Sequence, residues 1–551
     1  MFYVYIMIFN FLWMVLLMGG WSLYMNFFNK LIILEWEVYV MGILSFNYSL
    51  YLDWVNLLFM SLVMLISLSI MFYSIEYMSG DTKLYGFFLL MLMFVISMLL
   101  MLLSPSLLSI LLGWDLLGLI SYCLVIYYNN MISMNSGMIT FISNRLGDAF
   151  LLVSLMSLTM YSSMNLFLWD KIDYMILFLL LLMSITKSAQ IPFSLWLPKA
   201  MAAPTPISSL VHSSTLVTAG VYLNFRYNLI FSVYSDILIF LSMLTMILGG
   251  LLAFVDYDLK KIIAYSTLSQ LGVMMVSISV NLIYEGMFHL MMHALFKSML
   301  FMCAGVIMHS MGGVQDLRYM GGLIMKMPMV MVLFNVSNLS LCGIPFMSGF
   351  YSKDLIFEMF FLMDVSILMN FMLMIGMMLT LMYSIRLYKI LVFSNNMKSL
   401  MIMGEGFNMC KSMYLLGVMS LCMGSGMYWM FYWNLHLVFM SLMNKMLIYL
   451  IMGVSLFMSL IKFSLNVMNF IMKMYNLDYI YLLIWKNMMF MGNKFNMKYE
   501  ELIFGDVLLN YSLGFLWSSL ISFKELKFYI LELMKLVFLL FMMLFLVMLF
   551  I

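Results

Sequence analysis

Long apolar blocks separated by short polar joints set the pattern of this chain. A bilayer core about 30 Å thick needs about 20 largely apolar residues per helix. On that ruler fifteen candidate spans appear, at 4–24, 54–75, 84–103, 105–128, 137–160, 173–198, 205–230, 231–254, 260–280, 285–308, 327–358, 366–391, 412–432, 445–466 and 529–551. Backbone polar groups in lipid leave helices as the spanning structure for segments of this length. The expected fold is therefore all-α, a polytopic transmembrane bundle of about fifteen spans. Residues 25–53 hold no convincing span.

Two spans are interrupted. The run SITKSAQIPFSLWLP (184–198) contains Pro192, and GIPFMSGFYSKD (343–354) contains Pro345 between Gly343 and Gly349. Proline removes a helix hydrogen bond, and the freed carbonyl is tolerated in a membrane only beside protein or a water-filled cavity. Paired breaks of this kind point to an ion path. Each has a lysine at hand, Lys187 and Lys353. Residues 467–527 differ in kind, with eleven charged residues among sixty-one, twice the frequency of the whole chain. They read either as an amphipathic arm lying along the membrane or as a loop domain outside it. The expected organisation is N-terminal helices over 1–104, a core over 105–392, further helices over 393–466, the arm over 467–528 and an anchor helix over 529–551.

Composition narrows the class. The 551 residues are 66% hydrophobic and 9% charged, with mean hydropathy +1.08, which excludes a soluble enzyme. The net charge of +2 gives no footing for nucleic-acid binding. Methionine occurs 73 times against 10 alanines and 4 arginines, a skew that no bilayer demands and that fits codon bias in an AT-rich organelle genome. The first span lacks the basic flank of a cleaved signal, so it is expected to remain as a helix. The five cysteines show no CxxC or Cys/His spacing that would indicate a cluster or zinc site.

In so apolar a chain the informative residues are ionisable groups inside spans, each costing about 2.5–3.5 kcal/mol unless paired or hydrated. Asp115 lies in LLGWDLLGLISY and Lys187 at the first break. His289, His293 and Lys297 recur every four residues, which places them along one helical face. That stripe is open to three readings: a metal pair, packed core histidines or a proton relay. It brings no third ligand at metal spacing, and imidazole titrates near neutrality. His212 sits among Ser208, Ser209, Ser213, Ser214 and Thr215, whose hydroxyls could hold water beside it. Lys353 and Asp354 are either a simple ion pair or a point where a proton leaves the membrane interior. Arg145 and Asp148, three apart on a helix, read as a structural ion pair. Asp256, Asp258, Lys260 and Lys261 read as a solvated turn, and Glu285 as a helix-start residue.

Taken together, SNRLGD (143–148), KSAQIPFSLWLPKAMAAPTPISSLVHSSTLVTAG (187–220), DLKKIIAYSTLSQLG (258–272), HLMMHALFKSMLFMCAG (289–305), QDLRYMGGL (315–323) and GIPFMSGFYSKD (343–354) resemble one family closely. It is that of the proton-translocating, antiporter-like subunits of respiratory complex I. The resemblance is dense over 105–360. It implies an antiporter-like fold with two broken helices and a long lateral C-terminal helix in the mitochondrial inner membrane, translocating protons as NADH is oxidised and ubiquinone reduced elsewhere. It implies that Asp115 stands where the family has a glutamate partner to the first lysine, Lys187. Lys297 then matches the central lysine, Lys353 with Asp354 the terminal pair, and His212, His289 and His293 the connecting histidines.

No cofactor is expected on this chain, with FMN, iron–sulfur clusters and ubiquinone in other subunits. The implied partners are those subunits, especially antiporter-like neighbours along the lateral helix, and membrane lipid. The chain departs from the family in reading GWDLLG for GWEGVG, one methylene shorter at Asp115, and in carrying Ala202 where a glutamate is common. Fifteen spans are found where sixteen are usual. A free-standing cation/proton antiporter, or a structural membrane subunit with no proton path, are the alternatives. The charged arm argues against the first and the in-membrane lysines against the second.

Overall fold

The computed structural model describes residues 2–41, 44–158, 173–363, 366–393, 404–431 and 442–460. All fall within the compact unit Met1–Met472; the expected arm and terminal anchor helix lie outside the described residues. The chain begins with α1 (Phe2–Phe28) and an antiparallel hairpin, β1 (Ile32–Met41) and β2 (Leu44–Leu52). There follow α2 (Trp54–Tyr77), α3 (Leu84–Leu103), α4 (Leu107–Val125), α5 (Met131–Leu158), α6 (Tyr174–Lys187) and the short α7 (Trp196–Ala200) and α8 (Thr205–Ile207). A π-helical segment, Ser208–Thr215, leads into α9 (Leu216–Arg226), α10 (Asn228–Phe231), α11 (Ser235–Val255), α12 (Leu259–Ser279) and α13 (Ile283–Ser310). Next come α14 (Pro328–Cys342), a second π-helical segment at Phe350–Asp354, α15 (Leu355–Leu362), α16 (Ile367–Tyr388), α17 (Phe407–Phe431) and α18 (Leu442–Leu460).

Nine helices among the described residues are long and apolar enough to cross a membrane, and three more are apolar but shorter. The shorter ones include α6 and α14, because the two breaks expected from proline and glycine do end helices there. The 327–358 block, read as one span, is α14, a turn, a π-helical stretch and α15. The last turn of α1 and the hairpin account for residues 25–53, which hydropathy left unassigned. Its strands pair Ile32 with Leu52 through Met41 with Leu44, with a register shift between Glu37 and Tyr39, and Trp36 stacks on Tyr48 across the pair.

These helices are apolar on all sides, the pattern of elements buried in a bundle or a membrane rather than of one-faced surface helices. Their starts are set by local chemistry: Asp53 caps α2 by accepting from Asn56 N at 2.9 Å, and Pro328 opens α14. Gly343, at φ +80°, ends α14 in the left-handed conformation glycine favours. Serines inside the helices turn their hydroxyls back on their own carbonyls three residues earlier, as Ser67 does on Met64, Ser97 on Phe94 and Ser184 on Leu181. That satisfies a polar group where no lipid could. At the centre stands α13, whose apolar window is 100% buried, packed by α2, α12, α14, α17 and the first π-helical segment.

One polar node ties the N-terminal region to this core. Arg226, at the end of α9, grips Asp53 through two bonds of 2.7 and 3.1 Å, and also donates to Asn56 Oδ1 and Tyr222 Oη. Tyr222 reaches Leu102 O at 3.0 Å, and Tyr227 reaches Pro105 O at 2.7 Å. The ends of β2 and α3 and the start of α2 are thus held to α9. Both side chains of the ion pair are largely buried (11% and 14% exposed), so removing one leaves the other uncompensated, at about 3–5 kcal/mol. Arg226→Met is therefore expected to lower the thermal stability of the purified assembly and its yield, measured by native gel and thermal unfolding.

Candidate functional site

The first break places Lys187 at the last turn of α6, fully buried. The backbone then turns through Ala189 (φ +53°) and the cis Ile191–Pro192 bond before α7. Trp196 repairs part of the interruption by donating Nε1 to Thr186 O at 3.0 Å. Lys187 Nζ donates to Trp114 O at 2.9 Å and lies 4.2 Å above the Trp114 ring.

Asp115 and Lys187 form no direct ion pair within 4 Å. Successive helical residues point about 100° apart, and with Trp114 buried against Lys187, Asp115 turns outward, 35% exposed, to within 3.8 Å of Arg145. The deeper carboxylate is Asp148, 6% exposed and bonded to Arg145 at 3.0 Å. Its Oδ1 has no hydrogen-bond partner among the described residues. The Arg145–Asp148 pair expected from sequence is present, and it belongs to the surroundings of the first lysine.

His212 lies buried in the π-helical segment, edge-on to Trp196 at 6.3 Å, with neither ring nitrogen partnered among the described residues. Its hydroxyl neighbours donate to their own backbone: Ser213 to Ser209 O, Ser214 to Leu210 O at 3.0 Å and Thr215 to Leu210 O at 2.6 Å. They therefore face His212's surroundings as acceptors only.

A second group gathers on α12, α13, α16 and the second break. Lys297 Nζ donates to Ser266 Oγ at 2.5 Å. His289 has partners on both sides, Ser352 Oγ 3.0 Å from Nδ1 and Gln270 Oε1 3.2 Å from Nε2. His293 lies 6.3 Å from the His289 ring, without a partner for either nitrogen among the described residues. Lys353 donates to Thr380 Oγ1 at 2.8 Å and weakly to Leu341 O at 3.5 Å. Adjacent Asp354 forms no ion pair with it within 4 Å, and its Oδ1 is unpartnered among the described residues. The simple ion pair, one of the two readings of these neighbours, is therefore absent.

Lys260 corrects the solvated-turn reading of its loop: it is buried and donates to Ala203 O at 3.2 Å, while Lys261 keeps to the surface with Asp258 at 2.5 Å. Sequence reasoning also passed over Ser266, Gln270, Ser352 and Thr380. Ser266 and Gln270 are four apart, one face of α12, and that spacing was the available signal.

Residues 104–382 match the family model described as NADH:quinone oxidoreductase/Mrp antiporter, TM, and residues 36–88 that of NADH-Ubiquinone oxidoreductase (complex I), chain 5 N-terminus. A mosquito relative from Aedes aegypti, named NADH-ubiquinone oxidoreductase chain 5, is 46% identical over 411 residues, 73% of this chain and 71% of its own. The proteins of that name from Anopheles quadrimaculatus (44% over 445 residues, 77% of each chain) and Lumbricus terrestris (41% over 415 residues, 74% and 72%) agree. The chain belongs to the NADH-ubiquinone oxidoreductase chain 5 family. It is thus an antiporter-like membrane subunit of complex I.

Two solved structures share its fold: the Mrp complex from Dietzia sp. DQ12-45-1b (TM-score 0.72, 24% identity, 92% of this chain and 58% of that longer one) and the membrane-bound sulfane sulfur reductase, an archaeal respiratory membrane complex (TM-score 0.70, 20% identity, 89% and 91%).

The second break depends on close backbone approach at Gly349. A Cβ there would lie 1.7 Å from Ser340 O and 2.8 Å from its carbonyl carbon, so α14 and the segment carrying Lys353 could not keep their positions. Overpacking costs about 1–3 kcal/mol, and a backbone obstacle cannot rotate away. Gly349→Ala is expected to reduce the amount of assembled complex on native gels. Gly426→Ala, with nothing within 4 Å of the added atom, is expected to leave it unchanged.

Proposed function

We propose that this chain translocates protons across the mitochondrial inner membrane as part of the membrane arm of complex I. NADH oxidation and ubiquinone reduction supply the energy in partner subunits that carry FMN and iron–sulfur clusters. The observation that carries this reading is the state of the three buried lysines. Lys187, Lys297 and Lys353 are each essentially inaccessible, and each donates to a neutral oxygen rather than to a carboxylate. A purely structural buried ammonium calls for an anion at hydrogen-bond distance. A lysine held by neutral acceptors keeps a hydrogen-bonding site with or without its extra proton, which suits a carrier.

Charge at the first lysine is set by Asp148 and Arg145, with Asp115 at the outer edge. Since such groups titrate as a unit, a change at this cluster alters what His212 and the α13 histidines experience, and through them Lys297 and Lys353. Each proton moved against 100 mV requires about 2.3 kcal/mol, which this chain draws from its neighbours. Antiporter-like subunits beside the C-terminal arm, and lipid around the helices, are the partners proposed.

Lys187→Ala is expected to abolish most NADH-driven proton pumping by the assembled complex, read as protons moved per NADH oxidised in sealed vesicles; unchanged stoichiometry would overturn the assignment. Asp148→Asn is expected to lower pumping more than Asp115→Asn, and Asp115→Glu to be tolerated. The reverse order for the two asparagine variants would return the partner role to Asp115.

A further inference from the structure

Helix α14 opens without a cap of its own. Met327, just before Pro328, makes no side-chain bond to the N–H groups of the first turn. The acceptor comes from a distant segment: Glu405, two residues before α17, accepts through Oε1 from Met329 N at 3.1 Å and from Val330 N at 3.4 Å. That segment is pinned by the same device. Glu76, in the last turn of α2, accepts from Met409 N in the first turn of α17 at 2.9 Å. Gly406 passes so close that a Cβ there would lie 2.5 Å from Glu76 Oε1. A carboxylate at a helix N-terminus meets the positive end of the helix dipole and makes charge-assisted bonds. Two such caps in series join α2 to α17 and α17 to α14 at one end of the bundle.

The other end of α14 is the seat of the second break. Ser340 O is the backbone atom that Gly349 must clear, and Leu341 O takes the weak bond from Lys353. Gly343 faces Asp354, whose unpartnered Oδ1 lies 3.3 Å from where a Cβ would stand. Sideways, α14 is tied to α16 through Ser384, which accepts from Asn338 Nδ2 at its carbonyl and from Cys342 Sγ at its hydroxyl, each at 3.0 Å. The fifteen residues of α14 span about 22 Å. A regular helix of that length carries a displacement from one end to the other as a rigid element, so a shift at Met329 is felt at Leu341.

We propose that Glu405 is a positioning residue for proton translocation. It fixes the start of α14 and, through that helix, the carbonyls and the left-handed turn against which Lys353 and Asp354 sit. Glu76 supports it by holding the segment that delivers it. This rests on the proton-translocation reading and adds to it a residue at the far end of α14 from the second break. Glu405 neither gains nor loses a proton in this role; what matters is an acceptor oxygen at its reach. A glutamine keeps that oxygen, whereas an alanine leaves two N–H groups of α14 without it.

The test compares Glu405→Ala, Glu405→Gln and Lys353→Ala in the assembled complex at matched complex content. It reads protons pumped per NADH oxidised and the rate at which N-ethylmaleimide labels Cys342, on α14, against Cys303, also buried but on α13. Glu405→Ala is expected to lose protons per NADH and to label faster at Cys342 with Cys303 unchanged, and Glu405→Gln to restore both readings. If Lys353→Ala loses pumping while Glu405→Ala keeps its stoichiometry, the cap is merely structural, the inference is wrong and the proposed function stands. Faster labelling of both cysteines alike would also overturn it, since the whole bundle would then have loosened. If Lys353→Ala pumps normally, the proposed function falls and this inference with it. Should Glu405→Ala fail to assemble, Glu405→Asp, which keeps the charge one methylene short of α14, decides by the same readings.

Discussion

Everything in this molecule answers to one constraint: inside a membrane no bulk water is present to satisfy a polar group, so each must find its partner within the protein. That constraint makes helices of the apolar blocks and returns serine hydroxyls to their own carbonyls. It also makes each departure from regular helix conspicuous. At the first break Trp196 takes up the Thr186 carbonyl; at the second, Gly343 takes a left-handed turn and Gly349 lets backbone approach backbone. The constraint is left unmet among the described residues at several groups on the elements that carry the buried lysines or pack on them, such as His212, His293, Asp148 Oδ1 and Asp354 Oδ1, and also elsewhere, as at Asn47 Oδ1, Tyr73 Oη and Asn370 Oδ1.

Much of this was legible in the sequence because charge is so scarce. Lys187, Lys297 and Lys353 stood out as in-membrane cations, and the structure buries all three. The breaks were legible because proline and paired glycines within an apolar run have few other uses. The π-helical turn around His212 was not, since closing the backbone with one more residue per turn leaves no mark on composition. The hairpin escaped because a window of about twenty residues averages away the two-residue period of strands nine and ten residues long.

Asp115 forms no direct ion pair with the first lysine for a geometric reason. A helix apolar all round gives no sign of which side faces inward, so nothing distinguished Trp114 turned in and Asp115 turned out from the opposite arrangement. Asp148 was hidden by the adequacy of its local explanation. Three residues from Arg145, it needed no other partner, and only the packing of α5 against α6 brings it to Lys187. Gln270 and Ser352 illustrate the complementary limit: uncharged polar residues are common in such helices, and only their contact with His289 separates them from serines that merely satisfy themselves.

The back-bonded serines have a consequence beyond local satisfaction. A hydroxyl that donates its hydrogen to its own helix presents only oxygen lone pairs to the interior. Ser208, Ser209, Ser213, Ser214 and Thr215 around His212, and Ser266 and Thr380 beside the lysines, all do so. Around His212 and the lysines these hydroxyls therefore present acceptor oxygens, which favour a positive charge over an anion at those points. On the proposed proton-carrying role, the preference for positive charge would follow from the way these helices satisfy their own backbones.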